Sequence, residues 1–89
     1  MLKQVESVNY RIVRQLGVLS EKDNITTELN LISYNEYKPK LDLRKWEKKG
    51  DTKLLQRGLT LTDAEARELK KALDEYLEHL DAPKEETKA

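Results

Sequence analysis

From Thr26 to Leu61 apolar and polar residues alternate with a period of two, interrupted by two clusters of turn-forming residues, and after Thr62 the period lengthens to that of a helix. Within the alternating stretch the segment LDLRKW is central. Leu41 and Leu43 share one parity and Asp42, Arg44 and Trp46 the other, so a strand over residues 40–46 points two leucines one way and an acid, an arginine and a tryptophan the other. A strand over residues 25–34 likewise separates Thr27, Leu29, Leu31 and Ser33 from Glu28, Asn30, Ile32 and Tyr34, with Leu29 and Leu31 directed at the core. A strand over residues 53–61 sets Leu59 and Leu61 on one face with Gly58 between them. Upstream, residues 7–20 read as a long strand in which Val8, Tyr10 and Ile12 share a face. Its pattern slips at Gly17, where a bulge or sharp twist costs little because glycine carries no Cβ. Turns are expected at residues 21–24, 35–39 and 48–52, and consecutive hairpins make a meander the simplest topology.

The helix begins at Thr62, which caps it, with Glu65 three residues on completing a capping box and Asp63 favourable against the helix dipole. Leu69, Ala72, Leu73, Tyr76, Leu77 and Leu80 then form one apolar stripe, which is expected to cover the leucine face of the sheet and to pack at its far end on the same helix of a second subunit. Asp81, Ala82 and Pro83 end the helix. The fold class is therefore α+β, a curved four-stranded antiparallel sheet followed by one carboxy-terminal helix (ββββα), in a single domain over residues 1–81 with a disordered polar tail at 82–89.

Composition changes this picture in three ways. At 89 residues, with 37% hydrophobic and 38% charged positions, the core is thin and self-association is expected. The absence of cysteine removes disulfides, thiolate nucleophiles and thiolate metal sites. There is no signal-peptide run and no membrane-length apolar stretch, so an intracellular, cytoplasmic protein is expected.

The formal net charge is zero, but its distribution is uneven: residues 1–61 carry +4 and residues 62–89 carry −4. From Lys38 to Arg57 the net is +5. A charge run is ordinarily a solvated face. Here it is interleaved with aromatics on a sheet face that the helix leaves open, and a flat ring beside an arginine suits stacking on an unpaired base. Arg14, Tyr34, Tyr37, Lys38, Lys40, Arg44, Trp46, Lys53 and Arg57 are the candidate nucleic-acid-binding residues, and Leu69, Leu73, Tyr76, Leu77 and Leu80 the core or dimer residues of the helix. Each has a plainer reading. Trp46 can be a core residue at the end of the sheet, Tyr34 and Tyr37 packed turn aromatics, and Arg44 the partner of Asp42 or Glu28 in a cross-strand ion pair.

The order of elements, with LDLRKW, a basic loop, QRGLTLT and an amphipathic helix, resembles the positive cofactor four family of transcriptional coactivators, and looks most like its small bacterial members that bind single-stranded DNA. The likeness runs over residues 29–80 and more weakly over the first strand. It implies a homodimer with two basic channels for single strands, aromatic rings stacking on bases, and a bacterial or phage cytoplasmic setting compatible with nucleoid association. By position Arg44 and Trp46 match the family's arginine and nearby aromatic on the third strand, Arg57 its base before the glycine, and Tyr34 an aromatic at the end of the second strand; Lys38 and Lys40 fall in the basic turn and strand start. Glu36 and Tyr37 depart from the family, which usually offers glycine or a base there, and imply weaker affinity.

Catalysis has little support. His79 is the one histidine, beside Glu75 and Glu78 near the end of the helix, and reads as solvated. Ser7, Ser20 and Ser33 have no histidine partner, and the three glycines are too far apart to cradle a phosphate. The expectation is a binding protein without enzymatic activity, cofactor or metal, which holds melted DNA strands in transcription, replication or repair with little sequence preference. The alternatives are an adaptor domain binding other proteins, and an RNA-binding variant.

Overall fold

Short turns between strands of matched length fix the topology. The computed structural model describes residues 9–82, in which β1 (Tyr10–Lys22), β2 (Ile25–Tyr34), β3 (Lys40–Lys49) and β4 (Thr52–Leu61) form one antiparallel meander in the order β1-β2-β3-β4, followed by α1 (Asp63–Leu80). The expected four strands and one helix are all present. Residues 7 and 8, expected to open the first strand, and 83–89 of the expected tail lie outside the described residues.

The turns are tighter than the sequence suggests. Lys22 pairs with Ile25 and Lys49 with Thr52, which leaves two-residue connections at Asp23 and Asn24 and at Gly50 and Asp51. Gly50 at φ 60° and Asp23 at φ 59° take up the left-handed conformation that such connections require. Lys48 and Lys49 therefore extend β3 instead of forming a loop. The β2–β3 connection is longer and carries two consecutive left-handed residues, Asn35 (φ 52°) and Glu36 (φ 67°).

The two faces of the sheet differ from expectation in which one is buried. The parity is as read, but Thr26, Glu28, Asn30, Ile32, Asp42 and Trp46, all on one face, are at most 3% exposed. The opposite, leucine face is only half-buried at Leu29, Leu31, Leu41 and Leu43, and Leu59 is 52% exposed. The cause lies in the bending of the sheet. β1 has three successive register shifts against β2, between Ile12 and Arg14, Gln15 and Gly17, and Val18 and Ser20, and β4 has one against β3 opposite Arg44 and Trp46. Each such bulge bends and twists its strand. The sheet curls until side chains from distant parts of the polar face meet: the Tyr10 ring lies 6.3 Å from Tyr34 and 5.7 Å from Trp46, although Tyr34 and Trp46 stand at opposite ends of the β2–β3 ladder. This inner face is covered by its own side chains.

The helix lies on the outer face. Its amino terminus is built as expected: the Thr62 hydroxyl accepts from the Glu65 backbone N–H at 3.0 Å, and the Glu65 carboxylate accepts from the Thr62 N–H at 2.9 Å. Its stripe does not seal the leucine face. No helix residue is buried, and a groove of about 300 Å³ runs between Leu29 and Leu41 of the sheet and Ala66, Leu69, Leu73 and Leu77 of the helix. Among the described residues no helix is long and apolar enough to cross a membrane.

Candidate nucleic-acid interface

The curl divides the candidate binding residues into an inner and an outer group. Tyr34, Arg44, Trp46 and Lys53 belong to the inner group and are already engaged. The Asp42 carboxylate, fully buried, accepts from Arg44 Nε and Nη2 at 2.8 Å each and from the Tyr34 hydroxyl at 2.9 Å. Arg44 Nη1 donates to the Gln56 carbonyl at 3.0 Å, and the guanidinium lies 5.9 Å from the centre of the Tyr34 ring. A two-pronged arginine–carboxylate pair fixes both planes. Hydrogen bonding to Asp42 raises the Arg44 pKa further above its ordinary value, and burial together with the Asp42 bond pushes the Tyr34 phenol up to about 12. Of the two partners considered for Arg44, the structure gives it Asp42.

Glu28 has a separate set. Its carboxylate accepts from Lys53 Nζ at 3.0 Å to each oxygen, from Thr26 Oγ1 at 2.7 Å, from Asn30 Nδ2 at 3.2 Å and from Gln15 Nε2 at 3.4 Å. Burial works to raise its pKa, but the hydrogen bonds from Thr26, Lys53 and Asn30 outweigh it and hold the group below its ordinary value. Lys53 Nζ lies 5.1 Å from the centre of the Trp46 ring, within cation–π range. The inner face thus holds two carboxylates and two bases that neutralise one another in pairs. Trp46, expected on an open face, is fully buried beneath Tyr10 and Lys53, because the sheet curls toward the side it was expected to leave open. Its indole Nε1–H and the Asn30 Oδ1 have no hydrogen-bond partner among the described residues.

The outer group faces solvent. Tyr37 is 71% exposed, and Lys38, Lys40, Arg14 and Arg57 are exposed and form no ion pair among the described residues. Tyr37 is held firmly at its backbone: its N–H donates to the Tyr34 carbonyl at 2.9 Å and its carbonyl accepts from the Ser33 hydroxyl at 2.7 Å. An anchored turn therefore presents a free aromatic ring with Lys38 and Lys40 following it. Along the helix Leu69, Leu73, Tyr76, Leu77 and Leu80 are 37 to 60% exposed, so within one chain the stripe expected to be core or dimer surface stands largely open.

Tyr10 and Glu28 complete the inner cluster and were not among the candidate residues. Tyr10 shares parity with Ile12, which was a sufficient sign of its face. Glu28 shares parity with Ile32 and Tyr34, but a carboxylate on an alternating strand reads as solvated unless the curl of the sheet is known. No protein-family model matches the chain, and no curated protein matches it.

Proposed function

We propose that the chain binds single strands of nucleic acid, DNA in the first instance, as a homodimer without catalytic turnover, and that it acts on melted DNA in the cytoplasm or nucleoid. The observation that carries this reading is the β2–β3 turn, where Tyr37 is 71% exposed on a hydrogen-bonded backbone and is followed by the exposed bases Lys38 and Lys40. An exposed ring on an anchored backbone can stack on any base, and lysines beside it meet the phosphates on either side of that base. The resemblance to the positive cofactor four family supports the same reading, with one change. The bases of the inner face are neutralised by Asp42 and Glu28, so the first phosphate contacts fall to the outer bases.

The second copy fits the outer leucine face. The first half of the helix carries three bases, Arg67, Lys70 and Lys71, beside three acids, Asp63, Glu65 and Glu68, and its second half and end carry the acids Asp74, Glu75, Glu78 and Asp81. An antiparallel partner helix sets Arg67, Lys70 and Lys71 of each copy beside the acidic second half of the other, an arrangement that repeats on both sides of a two-fold axis. The exposed leucines also favour a second reading, an adaptor that docks another protein there.

Oligonucleotide binding by variants tests the first reading. Tyr37→Ala removes one stacking platform, about 1–3 kcal/mol, or roughly a 5- to 150-fold rise in Kd for an unstructured oligonucleotide. Lys38→Ala weakens binding uniformly across sequences and lowers the salt slope by about one. If both variants fold and bind as the parent does, the turn is not the interface and the reading fails.

A further inference from the structure

Trp46 is fully buried on the inner face of the sheet. Among the described residues its ring is met by Tyr10, from one edge strand, at 5.7 Å and by Lys53, from the other, at 5.1 Å. A tryptophan in a settled core ordinarily has its N–H partnered, yet among the described residues Trp46 Nε1 is buried without a partner, as is Asn30 Oδ1 on the same face. Lys53 is the movable part of this cover: it lies one residue inside β4, next to the Gly50 turn, on a flexible stem, with its side chain 32% exposed.

Glu28 is equipped to lose it. Removing the only base from a buried carboxylate is ordinarily prohibitive. Glu28 would still accept from Thr26 at 2.7 Å, Asn30 at 3.2 Å and Gln15 at 3.4 Å. Two arrangements of Lys53 are therefore open to the chain: one in which its ammonium sits on Glu28 and shields Trp46, and one in which it has swung outward onto an external anion.

We propose that the Lys53–Glu28 ion pair is an autoinhibitory latch over Trp46, released when a phosphate of a bound single strand takes Lys53 from Glu28, so that the indole face and its unpartnered N–H become available to a base of that strand. This rests on the strand-binding reading above and adds an order of events to it. Tyr37 and the outer bases engage first, and the inner ring joins only when Lys53 has moved. In the free protein the closed latch keeps the most apolar aromatic surface from solvent and from adventitious ligands. A phosphate shifts this equilibrium because it interacts with Lys53 in the open arrangement alone.

Acrylamide quenching of Trp46, the one tryptophan, reads the latch directly. In the free parent protein quenching is expected to be weak. Lys53→Ala is expected to raise the quenching constant several-fold with no nucleic acid present, and Glu28→Gln, which removes the charge that holds Lys53 but keeps hydrogen bonding, to raise it by a smaller factor; if Lys53→Ala does not fold, Glu28→Gln decides alone. Addition of a fluorescently labelled oligothymidylate, its binding followed by anisotropy, should shift the Trp46 emission of the parent protein, and Lys53→Arg should retain that response. Unchanged quenching in both folded variants overturns the latch. So does oligothymidylate that binds by anisotropy while the emission and quenching of Trp46 stay as in the free protein, a result that leaves strand binding intact. If the variants expose Trp46 but neither they nor the parent binds the oligothymidylate, strand binding fails and the proposed role of the latch fails with it.

Discussion

Asp42 joins two strands through its carboxylate. It is fully buried and accepts three hydrogen bonds, two from Arg44 on its own strand and one from Tyr34 at the end of β2. A carboxylate in that position holds the Tyr34 phenol protonated. Its pKa stands at about 12 against an ordinary 10.0, raised by burial first and by the Asp42 bond second. The sign follows directly: the folded pKa lies above the unfolded one, so the stabilisation is fully present below pH 10.0 and is lost as pH rises toward about 12. In an alkaline titration followed by phenolate absorbance, one ionisation step should fall near pH 12, and Tyr34→Phe should remove it. Coincident ionisation of all the tyrosines while the protein remains folded would mean that the bond to Asp42 does not persist in solution.

Among the elements, β4 turns its Gly58 against Arg44 of β3. A Cβ at Gly58 would overlap the Arg44 Cβ and come within 2.6 Å of the Arg44 Cα and the Leu43 carbonyl oxygen. Two of these neighbours are backbone and cannot move aside without breaking the ladder. Gly58→Ala should therefore cost at least about 2 kcal/mol in urea unfolding, with loss of the Arg44–Asp42 geometry. A variant as stable as the parent would show that the strands stand further apart there.

The sequence made Gly58 conspicuous between two leucines but could not show what it faced. The same limit runs through the whole sheet. The bounds of β2 and the capping box of α1 were legible, because alternation and capping are local signals. A period of two assigns residues to two faces without saying which face closes. That depends on bulges at Val13, Leu16 and Leu19, and only Gly17 advertised the irregularity. The outer candidates, Tyr37, Lys38, Lys40, Arg14 and Arg57, kept the exposure their polarity suggested. Trp46, Arg44 and Lys53 did not, since their burial is a property of the curl.

At the scale of the molecule the zero net charge conceals three regions: an inner face whose charges pair off, an outer turn whose bases form no ion pair among the described residues, and a helix that is neutral in its first half and acidic in its second. Exposed ion pairs along that helix, such as Lys70–Asp74 at 3.1 Å, contribute little within one chain and leave the charge pattern free for recognition. The half-open leucine face and the groove beneath the helix leave apolar surface uncovered, which a second copy would bury.

Sedimentation velocity of a fluorescently labelled oligothymidylate, followed through its label at low and at high salt, tests the central claim most directly. At low salt the label should move with the mass of two 10.4 kDa chains plus the oligonucleotide, and at high salt it should return to the free rate as the phosphate contacts are screened. A label that sediments as free oligonucleotide at low salt would contradict strand binding, and one that moves with a single chain would contradict the dimer.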